Sequence, residues 1–192
     1  METDLYGGYN YKLGEDITLG AGLIYYWYPG ANVDEAAGCA SAACADQGYD
    51  TFEGNLSAAW KWLSFKWSYA FTDYFGGNAD TGFEADTDGT MYFDLSASIP
   101  LEVLGGINIL GHIGYTLYSE ELAAPVNGET DPSYYDWKLG VSKTWDGGWN
   151  LGLFYVQASN DIWEDAQSLS STAPDMEDLN KGTVYLQVGR TF

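Results

Sequence analysis

Apolar and polar residues alternate with a period of two along most of this chain, and helical periodicity is almost absent. Ile17, Leu19, Ala21, Leu23, Tyr25 and Trp27 share one side of such a pattern, as do Leu63, Phe65, Trp67, Tyr69 and Phe71. Met91, Phe93, Leu95, Ala97 and Ile99 repeat it, followed by Ile107, Ile109, Gly111, Ile113, Tyr115 and Leu117, then Tyr135, Trp137, Leu139 and Val141. Segments near 3–13, 50–61, 149–158 and 183–192 behave alike, so the pattern predicts nine β-strands. Each is about ten residues long, the length of a tilted strand that crosses a bilayer.

The connections alternate between short and long. Gly14-Glu15-Asp16, the corner at Trp60–Trp62, Pro100–Gly106 and Asp146-Gly147-Gly148 are short turns, most with suitable Gly, Pro or Asp chemistry. Residues 29–48, 73–89, 119–133 and 159–181 are long. A soluble sandwich has no reason for that strict alternation, whereas a membrane barrel has short turns on one side and long loops on the other. Aromatic placement agrees. Tyr25, Tyr26, Trp27 and Tyr28 precede a long loop, while Trp60, Trp62, Trp145 and Trp149 flank short turns. Aromatic girdles at both interfaces of a bilayer have this arrangement, because amphipathic rings favour the headgroup level. The expected fold is therefore an all-β, antiparallel, up-and-down transmembrane β-barrel forming a single domain over 1–192.

Parity adds an expectation. Bacterial single-chain barrels have even strand counts, yet the pattern here is nine-fold, and its first strand runs toward a short turn. The expectation is that an odd number of strands and a signal peptide precede Met1, with an intact odd-stranded barrel as the competing reading. The segment Met1-Glu2-Thr3-Asp4-Leu5 has neither a basic nor an apolar leader region. The last strand alternates Val184, Leu186, Val188 and Arg190 and ends in Phe192, which looks like the carboxy-terminal assembly signal that outer-membrane proteins present to the barrel-assembly machinery.

Composition narrows the partners. With 7 Lys and Arg against 28 Asp and Glu, the net charge is -21, and no basic face exists to neutralise nucleic-acid phosphates. A 17% aromatic content separates this acidity from that of a disordered tail. The long connections contain 18 of the 28 acids, with Lys181 as their one cation. Asp73, Asp80, Glu84, Asp86, Asp88, Glu120, Glu121, Asp161, Glu164 and Asp165 are the core of this acidic mouth. It is expected to concentrate cations and repel anions, or to hold divalent ions that bridge to lipopolysaccharide; plain solvation of exposed loops is the simpler alternative. Asp86-Thr87-Asp88-Gly89 opens like a calcium-binding loop but lacks the downstream Glu, and no cofactor is expected. Cys39 and Cys44 form either a small loop disulfide, as an oxidising compartment permits, or two unpaired thiols.

The polar sides of the strands carry Asp4, Asn10, Lys12, Glu53, Asn55, Lys66, Asp94, His112, Asp136, Lys138 and Gln187. Two readings stay open. These residues line a water-filled path whose charges set ion preference, or they form ion pairs and hydrogen bonds that fill a narrow barrel together with Tyr6, Tyr26, Tyr92 and Tyr185. His112 is the one histidine, with no evident Ser or Cys partner, and no Ser or His is placed in a nucleophile motif, so no catalytic residue is assigned.

Several segments carry a family resemblance. Asp4-Leu5-Tyr6-Gly7-Gly8-Tyr9, Gly22-Leu23-Ile24-Tyr25-Tyr26-Trp27-Tyr28-Pro29-Gly30 and Tyr69-Ala70-Phe71-Thr72-Asp73-Tyr74-Phe75-Gly76 resemble the TorF-type porins, the Gcw_chp outer-membrane protein family. Tyr92-Phe93-Asp94-Leu95-Ser96-Ala97-Ser98 and Tyr135-Asp136-Trp137-Lys138-Leu139-Gly140-Val141-Ser142 extend the likeness to nearly all strands. The resemblance implies a Gram-negative outer-membrane location, contact with lipid and lipopolysaccharide, and a twelve-stranded barrel once about three strands are added. It brings no catalytic residues, and the Cys39–Cys44 loop departs from the family pattern. The function expected is a porin-like channel for passive transport of small solutes or cations. The alternative is a non-conducting barrel whose acidic loops bind a partner, divalent cations or lipopolysaccharide.

Overall fold

A computed structural model describes residues 1–32, 48–102, 105–159, 162 and 180–191. Its nine strands are β1 (Thr3–Leu13), β2 (Ile17–Trp27), β3 (Thr51–Trp60), β4 (Leu63–Ala70), β5 (Met91–Leu101), β6 (Ile107–Leu117), β7 (Tyr134–Thr144), β8 (Trp149–Ala158) and β9 (Thr183–Arg190). All pair antiparallel with their sequence neighbours in one up-and-down sheet, in which β1 and β9 are the two edges. The sheet is open, with no ladder joining β1 to β9 among the described residues.

Turn chemistry fixes the register. Gly14, at φ 72°, turns the chain so that Leu13 faces Ile17. Gly105 and Gly106, at φ 71° and 80°, lie in the connection that sets Leu101 opposite Ile107. In the β3–β4 turn the left-handed position is filled by Lys61 at φ 55°. Its side chain compensates at the surface, with Nζ 3.6 Å from Asp16 and 5.5 Å from the Trp60 ring centre.

Because residues directly opposite each other share a face, the registers divide the sheet into two surfaces of opposite character. One runs through Leu23, Gly54 and Tyr69, and through Leu95, Ile113 and Trp137. It is apolar and outward-facing: Leu139 is 55% and Leu186 64% exposed. The other carries the polar residues and is the sheltered one. Among the described residues the buried hydrophobic side chains are Ala70, Phe154 and Ile162, whereas Thr51, Glu53, Ser68, Asn78, Thr87, Thr90 and Thr116 are all buried. A protein folded around an oily core has the reverse distribution.

Two packing details sustain the sheltered face. Phe154 lies where a side chain at Gly140 or Gly152 would go, since a Cβ on either would come within 2.4 Å of its ring. Its ring also stacks on Tyr185 of β9 at 5.0 Å. A Cβ on Gly114 would meet the Tyr92 hydroxyl at 2.2 Å and Asp136 at 2.4 Å, so that glycine leaves room for the polar cluster described next.

Candidate functional site

Registers place all eleven polar residues singled out in the sequence on the polar face. Lys12 faces Thr18, Asn10 faces Gly20, Asn55 faces Ser68, Lys66 faces Asp94, and Gln187 faces Gly152. They do not form one cluster. Asp4, Asn10 and Lys12 on edge strand β1 are exposed, as is Gln187 on β9.

The middle strands bring five side chains together. His112 of β6 has Nε2 2.7 Å from Asp136 of β7, so an Nε2–H donates to that carboxylate. On the other side of the ring, Nδ1 is 3.1 Å from Ser96 Oγ and 3.4 Å from Asp94 Oδ2. The Tyr92 hydroxyl is 3.1 Å from His112 Nε2 and donates to Asp136 Oδ2 at 3.0 Å. Tyr92 is one of the tyrosines expected among the polar residues, whereas Ser96 corrects the expectation that His112 has no Ser partner and is announced by no local sequence motif. The parity of β5 signals them, because 92, 94 and 96 must share a face.

Ser, His and Asp in mutual contact invite comparison with a nucleophilic triad, but the geometry argues for structure. The Ser96 hydroxyl has one proton, and its shorter contact is to Asp94 Oδ1 at 2.8 Å. Ser96 lies inside the ladders with β4 and β6, where strand amides are committed to neighbours and not free to stabilise an oxyanion. The cluster ties three strands together in the manner of a satisfied polar network. Among the described residues, no group of three His, Cys, Asp or Glu side chains is placed to hold a metal ion.

At the long-loop end, the β4–β5 connection folds over the sheltered face. Its two short 3-10 turns, Tyr74–Gly76 and Ala79–Thr81, are held by hydroxyl groups. Thr51 Oγ1 accepts from Phe75 N at 2.7 Å and lies 3.2 Å from Asp73 O, while Thr87 Oγ1 accepts from Tyr74 N at 2.8 Å. Asn78 accepts from Asp80 N and donates to Asp73 Oδ2 at 3.0 Å. The connection then pairs with the β6–β7 connection through Glu84 N to Glu121 O at 2.9 Å and Ala123 N to Gly82 O at 2.9 Å. Burial and neighbouring tyrosines hold the Tyr74 and Tyr118 hydroxyls well above the ordinary tyrosine value of 10.0, so both stay neutral in moderately alkaline solution.

The acids expected to form a mouth differ in their roles. Asp73 is half-buried and serves the connection, and Glu121 accepts from Thr130, whereas Asp80, Glu84, Asp86 and Asp88 are exposed. Asp161, Glu164, Asp165, Cys39, Cys44 and Phe192 lie outside the described residues. At the opposite end, cations stand over tryptophans. Lys143 Nζ is 5.7 Å from the Trp145 ring centre, and the Arg190 guanidinium is 5.1 Å from that of Trp149. This accounts for Arg190 on an otherwise apolar strand face.

A protein-family model described as "Bacterial protein of unknown function (Gcw_chp)" matches residues 1–192, the whole chain. No curated protein matches it.

Proposed function

This chain belongs to the Gcw_chp family of bacterial proteins, and from that premise we propose that its sheet is the wall of an outer-membrane β-barrel with a polar passage for small cations. The observation that carries this reading is the inversion of the two faces: large apolar side chains point outward while threonines, Glu53 and the His112 cluster are sheltered. Transfer of Leu139, Val141, Leu151, Leu153 and Leu186 from water to lipid is favourable by about 25 cal/mol per Å² of apolar surface. Tryptophans paired with cations at the short-turn end suit a headgroup interface. Lipid offers no hydrogen-bond partner to an unpaired sheet edge, so the reading requires the ring to be closed in the membrane.

The cation preference rests on exposed Asp80, Glu84, Asp86 and Asp88 at the long-loop end. One observation favours the second reading, a non-conducting barrel with a surface-binding role: the β4–β5 connection and the His112 cluster occupy part of the sheltered face. The two separate in a planar bilayer. Protein refolded into it is expected to give discrete conductance steps with a cation-to-anion permeability ratio above unity. Absence of steps would defeat the channel, and a ratio at or below unity would defeat the acidic mouth.

A further inference from the structure

The rings of the β4–β5 connection form a continuous row with those of its neighbours. Phe75 lies 6.2 Å from Tyr28 and 5.3 Å from Tyr26, its ring meets Tyr74 at 4.7 Å, and Tyr74 meets Tyr118 edge-on at 5.4 Å. Tyr26 belongs to β2 and faces Thr51 on the polar side, whereas Tyr118 follows the end of β6. A connection that starts on β4 therefore reaches back to β2 and forward to β6, across the end of the face that carries Glu53 and the His112 cluster.

The row is fixed as well as present. Phe75 sits at φ 49° and ψ 44°, a left-handed conformation that a bulky residue adopts only when its surroundings impose it. The imposing contact is Thr51, fully buried on β3, whose hydroxyl reaches Phe75 N and Asp73 O. Thr87 and Thr90, also buried, close the far side through Gly77 O and Thr87 O. Near the same end of β6, Thr116 faces Tyr92 and Tyr134 on the polar side, and its buried hydroxyl has no hydrogen-bond partner among the described residues.

We infer that the β4–β5 connection is the size-limiting bar of the passage, with Phe75 and Tyr74 as its obstructing rings and Thr51 as the latch that positions them. The inference rests on the channel reading and adds to it the element that decides how large a solute enters. Loss of the latch frees the segment Asp73–Gly76, and loss of the Phe75 ring widens the gap between β2 and β6.

The test compares the full chain with Phe75→Ala, Thr51→Val and Thr51→Ser in planar bilayers, using polyethylene glycols of graded size to find the exclusion limit. Far-UV circular dichroism of each variant reports the strand content. Phe75→Ala is expected to raise conductance at least twofold and to admit larger polymers. Thr51→Val should convert steady steps into fluctuating ones, while Thr51→Ser, which keeps the hydroxyl, should restore wild-type traces. If wild type conducts and the variants keep its conductance and exclusion limit, the bar is wrong and the channel stands. If only the variants conduct, the bar stands as a plug and the open wild-type channel is wrong. If none conducts, both fall. Should Phe75→Ala lose its strand content, the Thr51→Val and Thr51→Ser pair decides: like traces from the two overturn the latch.

Discussion

His112 is held from both sides of its ring, by Asp136 and Tyr92 at Nε2 and by Ser96 and Asp94 at Nδ1. Removing the imidazole leaves two sheltered carboxylates facing a void, so His112→Ala is expected to cost about 1–3 kcal/mol and Tyr92→Phe about 1 kcal/mol. Urea unfolding in detergent measures both, and the double variant should fall short of their sum because the groups share Asp136. Tyr74 and Tyr118 provide a pH signature. Their folded values lie above the unfolded 10.0, so above that pH the unfolded chain releases protons that the folded chain retains. Stability is therefore full below about pH 10 and falls as pH rises beyond it. The unfolding midpoint of wild type should drop more between pH 9 and pH 11 than that of Tyr74→Phe/Tyr118→Phe. An equal drop in both proteins would show that these tyrosines are not responsible.

At the scale of the strand, parity decides the consequence of a substitution. Leu139, midway along β7, faces Gly111 and Tyr155 on the apolar side. In the proposed barrel a charge there would meet lipid, and Leu139→Arg is expected to cost about 2–4 kcal/mol at the bilayer midplane. Gln187→Arg, on the polar side of β9, should change stability by less than about 0.5 kcal/mol. Unfolding of both in phospholipid vesicles checks the pair; equal costs would mean that the two faces see the same solvent. The strands were legible in the sequence because their period is two and their turns carry Gly, Pro and Asp. β1, β2 and β8 coincide with the alternating segments, and β9 stops at Arg190. The hydroxyl latches were not legible. Alternation puts Thr51 on the polar side of its strand but does not single it out, and Thr51 and Thr87 act on backbone amides 24 and 13 positions away.

For the whole molecule, charge has a direction. Exposed Asp80, Glu84, Asp86 and Asp88 lie at the long-loop end, while Lys61, Lys143 and Arg190 stand over tryptophans at the other. Neutralising the four acids to Asn or Gln should bring the cation-to-anion permeability ratio toward unity without changing the polymer exclusion limit. The effect should shrink at 1 M salt, where the screening length is about 3 Å. Reversal potentials across a salt gradient provide the measurement. A ratio that survives neutralisation would move selectivity inward, to Glu53, Asp94 and Asp136.

Sequence alone determined the strand segments, the two chemically opposed faces and the resemblance to the family that matches the whole chain. All three are written in residues two positions apart or in contiguous segments, so they need no knowledge of what lies across the sheet. Only the tertiary structure decided that Ser96 and Tyr92 complete the His112 cluster, and that the 73–89 connection folds over the polar face instead of extending as an acidic loop. Those contacts join residues from 16 to 44 positions apart. Their partners are chosen by strand register and by the way one connection crosses several strands, which local alternation does not encode.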